Sequence, residues 1–343
     1  MQKAAVVILN WNGRKLLKQF LPPLLMHTPS DSAEIIIADN GSTDSSESFL
    51  ATHYPQIRRI VFDKNYGFAE GYNRALSQLN HQYVVLLNSD VEVTEHWLET
   101  ALDYLDAHPD VAALQSKLLD YKDKTAFEYA GASGGFIDIY GYPFCRGRIL
   151  ATIEKDHGQY DNPVEVFWAS GACLFIRLKD FNEAGGFDKN FFTHQEEIDL
   201  CWRLKARGKK IVCFPQSVIY HIGGATLNME HPQKTFLNFR NNLLMVHKNL
   251  PEKYYSKVML MRFFFDYLAA LHFLWRGCPA NALSVLKARL DFNRQKKNYR
   301  MIRKENLEKT TVELPFGIFI QSVLWKYHIK NLKEYKQIFP NAE

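Results

Sequence analysis

Tyr83-Val84-Val85-Leu86-Leu87-Asn88-Ser89-Asp90 is an unbroken apolar run of five residues that ends in three polar ones. A short apolar run bounded by turn-forming residues reads as a fully buried strand, and its polar end marks where the strand leaves the core. The same pattern stands three times upstream. Ala4–Leu9 precedes Asn10-Trp11-Asn12-Gly13, Glu34–Ala38 precedes Asp39-Asn40-Gly41-Ser42, and Arg58–Phe62 precedes Lys64-Asn65-Tyr66-Gly67. Segments of helical period alternate with them at Arg14–Met26, Ser45–His53, Phe68–Leu79 and Glu95–His108. Four strand-helix repeats predict an α/β fold with a Rossmann-like, mostly parallel sheet flanked by helices. Ligands of such sheets bind beyond the carboxyl ends of the strands, so four polar clusters fall on one rim. Each cluster taken singly is also good turn and helix-cap chemistry.

Beyond Val111–Leu114 the periodicity weakens. Residues 120–163 are rich in Gly, Tyr and Asp, which predicts loops and short antiparallel pieces facing a substrate. Strands are expected again at Val164–Phe167, Ala172–Arg177 and, last, Ile211–Phe214, with a helix over Glu196–Arg207. From about Thr235 the chain reads as helical and increasingly basic. The expected division is 1–118 for a nucleotide-binding half, 119–249 for an acceptor and catalytic half, and 250–343 for a helical basic extension.

Composition narrows the class. With 343 residues, 47% hydrophobic, the chain can bury a sizeable core, and disorder throughout is excluded. Its five Cys form no Cys-x-x-Cys pair, which argues against a zinc ribbon or disulfide framework and for free thiols in a reducing, cytoplasmic compartment. The net charge of +5 hides an asymmetry: Pro251 to Glu343 holds 17 Lys and Arg against 8 Asp and Glu, so the larger part of the chain is mildly acidic. That distribution does not suit nucleic acid. Six apolar residues before Asn10 make a first strand rather than a signal peptide. The best candidate span, 258–275, is interrupted by Arg262, Asp266 and His272.

No Gly-x-Gly-x-x-Gly follows the first strand and no phosphate-loop motif occurs, so the ordinary dinucleotide and P-loop readings lose their support. Asp90, at the end of a buried strand, is a candidate ligand for a hard divalent cation that already carries substrate phosphates; the alternative is a turn cap. Asp39 offers an acceptor for the imide N–H of a pyrimidine, or again a turn. Glu196, Glu197 and Asp199 lie at a helix start, where the macrodipole favours acids. Asp199 is spaced to pair with Arg203, Glu196 shares that face, and Glu197 turns away, free to point into a cleft. His221, expected just after the last strand, could complete a metal site with Asp90, although a lone His is more often a packed residue.

Together these residues make Ala4 to Asn249 resemble the family 2 glycosyltransferases, especially the rhamnosyltransferase-like branch, which have the GT-A fold. The resemblance rests on Val7-Ile-Leu-Asn-Trp-Asn-Gly13, Asp39-Asn-Gly-Ser-Thr-Asp44, Asn65-Tyr-Gly-Phe-Ala-Glu-Gly-Tyr-Asn73, Leu87-Asn-Ser-Asp90, Ala169-Ser-Gly-Ala-Cys173, Glu196-Glu-Ile-Asp-Leu200 and His221, in that order. It implies that Asn10, Trp11, Asp39 and Asn65 line the base and ribose of a nucleoside-diphosphate sugar, a dTDP- or UDP-sugar. It implies that Asn88 and Asp90 stand for the Asp-x-Asp motif, Asp90 holding Mg²⁺ or Mn²⁺ and diphosphate with help from His221. Trp168, Ser170, Gly171 and Glu196 would border the acceptor, and Glu197 would be the general base. Two positions depart from the family pattern. Asn88 replaces the first acid of the metal motif, and Glu197 is one methylene longer than the usual Asp, which makes Glu196 a rival.

The implied activity is inverting transfer of a sugar to a hydroxyl of a glycan or lipid-linked glycan in cell-surface polysaccharide assembly. Nucleotidyl transfer and a non-catalytic sugar- or membrane-binding protein of the same fold are the alternatives. Between Leu260 and Trp275, Leu260, Phe263, Phe264, Tyr267, Leu271 and Leu274 follow helical spacing, and Lys287 to Lys309 adds positive charge. This tail is expected either to lie on an anionic membrane surface, peripherally at the inner face, or to dock on the catalytic body.

Overall fold

Every side chain of Ala4–Asn10 except Leu9 is buried, and this segment is β1 of a computed structural model that describes residues 2–223 and 231–340. Gly224, which follows the His221 segment, lies outside the described residues. β1, β2 (Ala33–Asp39), β3 (Arg58–Val61) and β4 (Tyr83–Leu87) pair in parallel in the order β3-β2-β1-β4. Helices α1 (Arg14–Met26), α2 (Ser46–His53) and α3 (Gly67–Leu76) supply the crossovers. The register sets Asn10 opposite Asp39, so both polar strand ends meet at one rim.

The chain continues through β5 (Val91–Val93), α4 (Glu99–Ala107) and β6 (Val111–Asp120). The helix expected over Glu95–His108 therefore starts a turn later. Beyond β6, four short strands form a second, antiparallel sheet: β7 (Gly135–Asp138), β8 (Pro143–Cys145), β9 (Arg148–Ile149) and β10 (Thr152–Ile153). The main sheet then gains β11 (Val164–Glu165), β12 (Cys173–Arg177) and β13 (Lys210–His221), with α5 (Leu178–Glu183) and α6 (Glu196–Ala206) between the last two. Its order is β11-β13-β6-β12-β4-β1-β2-β3, with β5 on β13. β12 runs antiparallel between β4 and β6. The expected boundary at 118/119 thus runs through one continuous sheet.

β13 is longer than the expected Ile211–Phe214. Pro215 cannot donate to a ladder and Gln216 and Ser217 break the apolar run, but pairing with β6 resumes after an irregularity between Phe214 and Val218. His221 is consequently the last residue of the strand, held opposite both Asp120 and Val91 rather than loose in a following loop.

The tail comprises α7 (Pro232–Asn249), α8 (Glu252–Trp275), α9 (Pro279–Gln295), α10 (Arg300–Glu308), a strand β14 (Ile318–Phe319), α11 (Val323–His328) and α12 (Tyr335–Ile338). The extension is helical as expected, with one short strand, β14, that pairs in parallel with β7. Asp138 of β7 accepts the backbone N–H of Val323 at 3.0 Å. Phe339 stacks on Phe144 at 5.5 Å, and Tyr335 lies 5.3 Å from Phe136. A fully buried ring contributes about 1.5–3 kcal/mol, and with Tyr335 buried and Phe339 half-buried the end of the tail is fastened to the second sheet. α8 behaves differently: Leu260, Phe263, Phe264, Tyr267, Leu271 and Leu274 are all exposed.

Candidate active site

At the rim of β1 and β2 the polar ends bind one another. Asn10 donates to Asp39 at 2.8 Å and to Ser42 at 3.1 Å, while the other Asp39 oxygen accepts the Ser42 N–H at 2.8 Å. Asp39 therefore spends both oxygens on the turn. Asn10 keeps a buried side-chain oxygen with no partner among the described residues, and Trp11 beside it is 46% exposed, its ring open for stacking. Asn40, of the second polar cluster, ties this rim to the next: it donates to Asn65 at 3.1 Å and to the Gly67 carbonyl at 3.0 Å and accepts the Tyr66 N–H at 3.0 Å. Asn65 in turn accepts the Gly67 N–H at 2.8 Å.

The ends of β4 and β13 bring Asn88, Asp90 and His221 together. His221 Nε2 lies 3.2 Å from Asp90 Oδ1 and 3.4 Å from Asn88 Nδ2. On the other side of the ring, His221 Nδ1 faces Glu128 Oε1 at 3.3 Å. Burial opposes a charge on His221, but the carboxylates of Glu128 and Asp90 outweigh it and raise the imidazole pKa to about 10. Glu128 sits in the irregular 120–163 region, where no periodicity pointed to it.

One carboxylate and one imidazole nitrogen converging at this distance suit a divalent cation that takes its remaining ligands from diphosphate and water. Among the described residues no third Asp, Glu, His or Cys completes a protein-only site. His221 would have to release its proton to ligate, which makes metal affinity rise with pH.

On the second half of the chain, α6 begins after a strained approach. Phe192, His194 and Gln195 all have positive φ, at 65°, 72° and 74°, a conformation that side chains with a Cβ adopt only when surroundings impose it. The surroundings are on α7. The Asn241 amide, fully buried, donates to the carbonyls of Phe191, Thr193 and His194 at 2.8–2.9 Å, and Arg240 reaches the Asn190 and Phe191 carbonyls. Asn242 holds Gln195 at 3.1 Å. Three poor helix formers or polar residues in a row inside α7 were the sequence signal of this clamp. The Phe192 carbonyl also accepts the N–H groups of Phe68 and Ala69 at the start of α3. Gly67 there has φ +78°, and a Cβ on it would sit 2.6 Å from that oxygen. The approach to α6 is therefore joined to the Asn40–Asn65 rim.

Of the three acids of α6, Asp199 pairs with Arg203 as their spacing suggested, whereas Glu196 goes with Glu197 rather than with Asp199. Asp199 is buried against Arg203, Lys248 and Asn249 at 2.8–3.0 Å; although burial opposes its charge, these partners hold its pKa below the usual carboxylate value. Glu196 and Glu197 each keep a buried oxygen with no partner among the described residues. Burial pushes Glu197 up to about 7, and burial together with the charge of Glu197 raises Glu196 well above the ordinary range. Near neutrality Glu197 is poised to exchange a proton.

Cys201, one turn beyond Glu197, accepts the Ala169 N–H at 3.5 Å, so this face of α6 leans on the 168–171 segment. Ser170 is fixed by Gln115, which accepts its N–H at 2.8 Å, and Gly171 lies against Phe68. Trp168 departs from expectation. Its indole is buried over Gly135 and donates to the Phe136 carbonyl at 2.8 Å, so it forms the wall behind the segment rather than its ligand face.

Comparison with known proteins agrees with this architecture. The family model described as glycosyl transferase family 2 matches residues 5–177. The chain is 27% identical over 232 residues, 63% of its own length and 75% of the relative's, to N-acetylglucosaminyl-diphospho-decaprenol L-rhamnosyltransferase of Mycobacterium tuberculosis. It is 23% identical over 259 residues, 72% of its length and 92% of the relative's, to rhamnosyltransferase WbbL of Escherichia coli. Among solved structures it is similar to S. aureus TarS 1-349 in complex with UDP (TM-score 0.53, 15% identity, covering 92% of this chain and 95% of that one). It is also similar to GalNAc-T7 with UDP, GalNAc and Mn²⁺ (TM-score 0.57, 14% identity, 88% and 57%), a likeness of fold. With strand-end acids on a mostly parallel sheet and a family match across half its length, the chain belongs to glycosyl transferase family 2.

Proposed function

We propose that this chain transfers a sugar, with inversion, from a UDP- or dTDP-sugar to a hydroxyl of a lipid-linked glycan at the cytoplasmic face of a membrane. The observation that carries the catalytic part is Glu197: a carboxylate with an unpartnered oxygen, pushed by burial to about 7, one turn before Cys201, which accepts the Ala169 N–H next to Ser170. A base is most effective when its pKa lies near the working pH. The donor and acceptor assignments draw on the named activities of the relatives and neighbours.

In this reading residues 1–118 hold the donor. Trp11 stacks on the base, Asn10 and Asn65 position the ribose, and Asp39 acts by keeping Asn10 and Ser42 in place. A divalent cation between Asp90 and His221 would neutralise charge gathering on the leaving diphosphate as a Lewis acid. Asn88, beside His221, offers a neutral contact to the same diphosphate. Residues 119–249 present the acceptor: Ser170, Gly171 and Glu196 border its hydroxyl, and Glu197 takes the hydroxyl proton. The acceptor oxygen bonds to the anomeric carbon as the bond to diphosphate breaks on the opposite face, releasing a nucleoside diphosphate.

Incubation with UDP-, dTDP- and GDP-sugars and a lipid-linked acceptor, with Mg²⁺ or Mn²⁺, tests this. Release of nucleoside diphosphate with a glycosylated product of opposite anomeric configuration is expected. Release of pyrophosphate would point to nucleotidyl transfer, and binding without turnover of any donor to a non-catalytic protein.

A further inference from the structure

Among the described residues, most of the exposed large apolar side chains lie in the tail. Of 23 large apolar side chains exposed among the described residues, 17 lie between Leu260 and Ile329, so the exposure belongs to the tail rather than to the fold as a whole. Within α8 the usual polarity of a surface helix is inverted. Its buried stripe is Val258, Arg262, Asp266 and Ala270. Its opposite stripe carries Phe264, Leu268, Leu271 and Trp275, between 52% and 84% exposed, and α9 adds Leu286 and Leu290 beside it.

The buried ions are fully paired. Arg262 donates to Asp266 at 3.1–3.2 Å, Arg289 of α9 donates to the other Asp266 oxygen at 2.6 Å, and Arg262 also reaches the Tyr140 carbonyl at 2.7 Å. These contacts fix which face of α8 looks inward, and they pin the middle of the helix side-on to the catalytic body. A helix 24 residues long and apolar enough to cross a bilayer is thereby held flat against the protein.

We infer that the outward face of α8 and α9 docks on an anionic lipid bilayer, with the helices in the interfacial plane. An apolar stripe is the part of an interfacial helix that enters the acyl boundary, and flanking Lys and Arg engage anionic headgroups. Outside the buried Arg262–Asp266–Arg289 set, residues 252–300 hold eight Lys and Arg against two Asp and Glu. That excess complements anionic lipid, whereas a second copy of this chain would set like charges against each other. Trp275, at the end of α8, has the amphipathic ring that settles at headgroup level. The inference deepens the membrane-face location proposed above and rests on it for its purpose, but vesicle binding needs neither donor nor acceptor.

Co-sedimentation of the full chain with phosphatidylglycerol–phosphatidylcholine vesicles tests it. Binding is expected with these vesicles and not with pure phosphatidylcholine, accompanied by a blue shift of Trp275 fluorescence that W275F removes. The triple variant L268E/L271E/W275E should lose at least about tenfold in partitioning. Because these side chains are exposed, its thermal unfolding and its release of nucleoside diphosphate with a lipid-free acceptor should stay native. K287E/K296E/K297E should weaken binding at low salt. Absence of vesicle binding overturns the inference, as does binding that the triple variant leaves intact. So does a dimer in sedimentation velocity that the triple variant dissolves while vesicles capture nothing. A chain that binds vesicles but turns over no donor would refute the catalytic proposal and leave the docking face standing.

Discussion

Replacing Glu197 by Gln keeps the shape of the side chain and removes its proton acceptor, and two consequences of opposite sign follow. Turnover should fall by roughly 10²- to 10⁴-fold, the span of a positioned base, with donor affinity retained because Asn10, Trp11 and Asp90 are untouched. Stability should rise. A carboxyl that ordinarily titrates at 4.5 is held at about 7, so the folded chain prefers its neutral form. The cost of ionising it in the fold is absent below pH 4.5, grows as the pH rises through that window, and is complete above 7. It amounts to roughly 3 kcal/mol, which Gln does not incur. Urea denaturation should therefore find Glu197→Gln equal to the native chain near pH 4 and more stable at pH 8. At saturating Mg²⁺ or Mn²⁺ the native kcat/KM should climb about tenfold between pH 6 and pH 8 and then level, as the base loses its proton. A Glu197→Gln enzyme of near-native turnover beside a dead Glu196→Gln would exchange the two roles. Stability curves of native and variant that stay parallel across the window would refute the burial argument itself.

Asp90→Asn should lower turnover at least about 100-fold and weaken Mn²⁺ uptake measured by calorimetry in the presence of nucleoside diphosphate; a folded variant with native uptake removes Asp90 from the metal site. Asn241→Ala takes the side-chain donor from the Thr193 and His194 carbonyls, while Phe191 keeps Arg240, and should cost roughly 1–3 kcal/mol in chemical denaturation, with turnover falling at saturating donor. An unchanged denaturation midpoint would mean that the strained approach to α6 holds itself. Gly67→Ala places a Cβ at φ +78° and 2.6 Å from the Phe192 carbonyl, which should cost more than the roughly 1–2 kcal/mol of the left-handed conformation alone. Differential scanning calorimetry reads this directly, and a melting point within a degree of native would contradict it.

The sequence by itself determined the parallel core. β1, β4 and α1 fall where apolar runs and helical period place them because each is a local pattern: a five-residue apolar run has one buried arrangement in a parallel sheet, and its polar end has to emerge at the rim. Asp90 and the separation of Asp199 from Glu197 were legible for the same reason, being matters of strand end and helix spacing. What only the tertiary structure decided rests on contacts between residues far apart in the chain. The length of β13, and with it the seat of His221, depends on pairing with β6 that resumes beyond Pro215. Glu128 reaches His221 from an aperiodic loop, and Asn241 holds a loop about fifty residues away. The tail shows the limit most clearly. Its helical apolar spacing was readable, but whether that face turned inward or outward was settled by the partners of Arg262 and Asp266, because charges can be buried only where a fold brings their counter-charges to them.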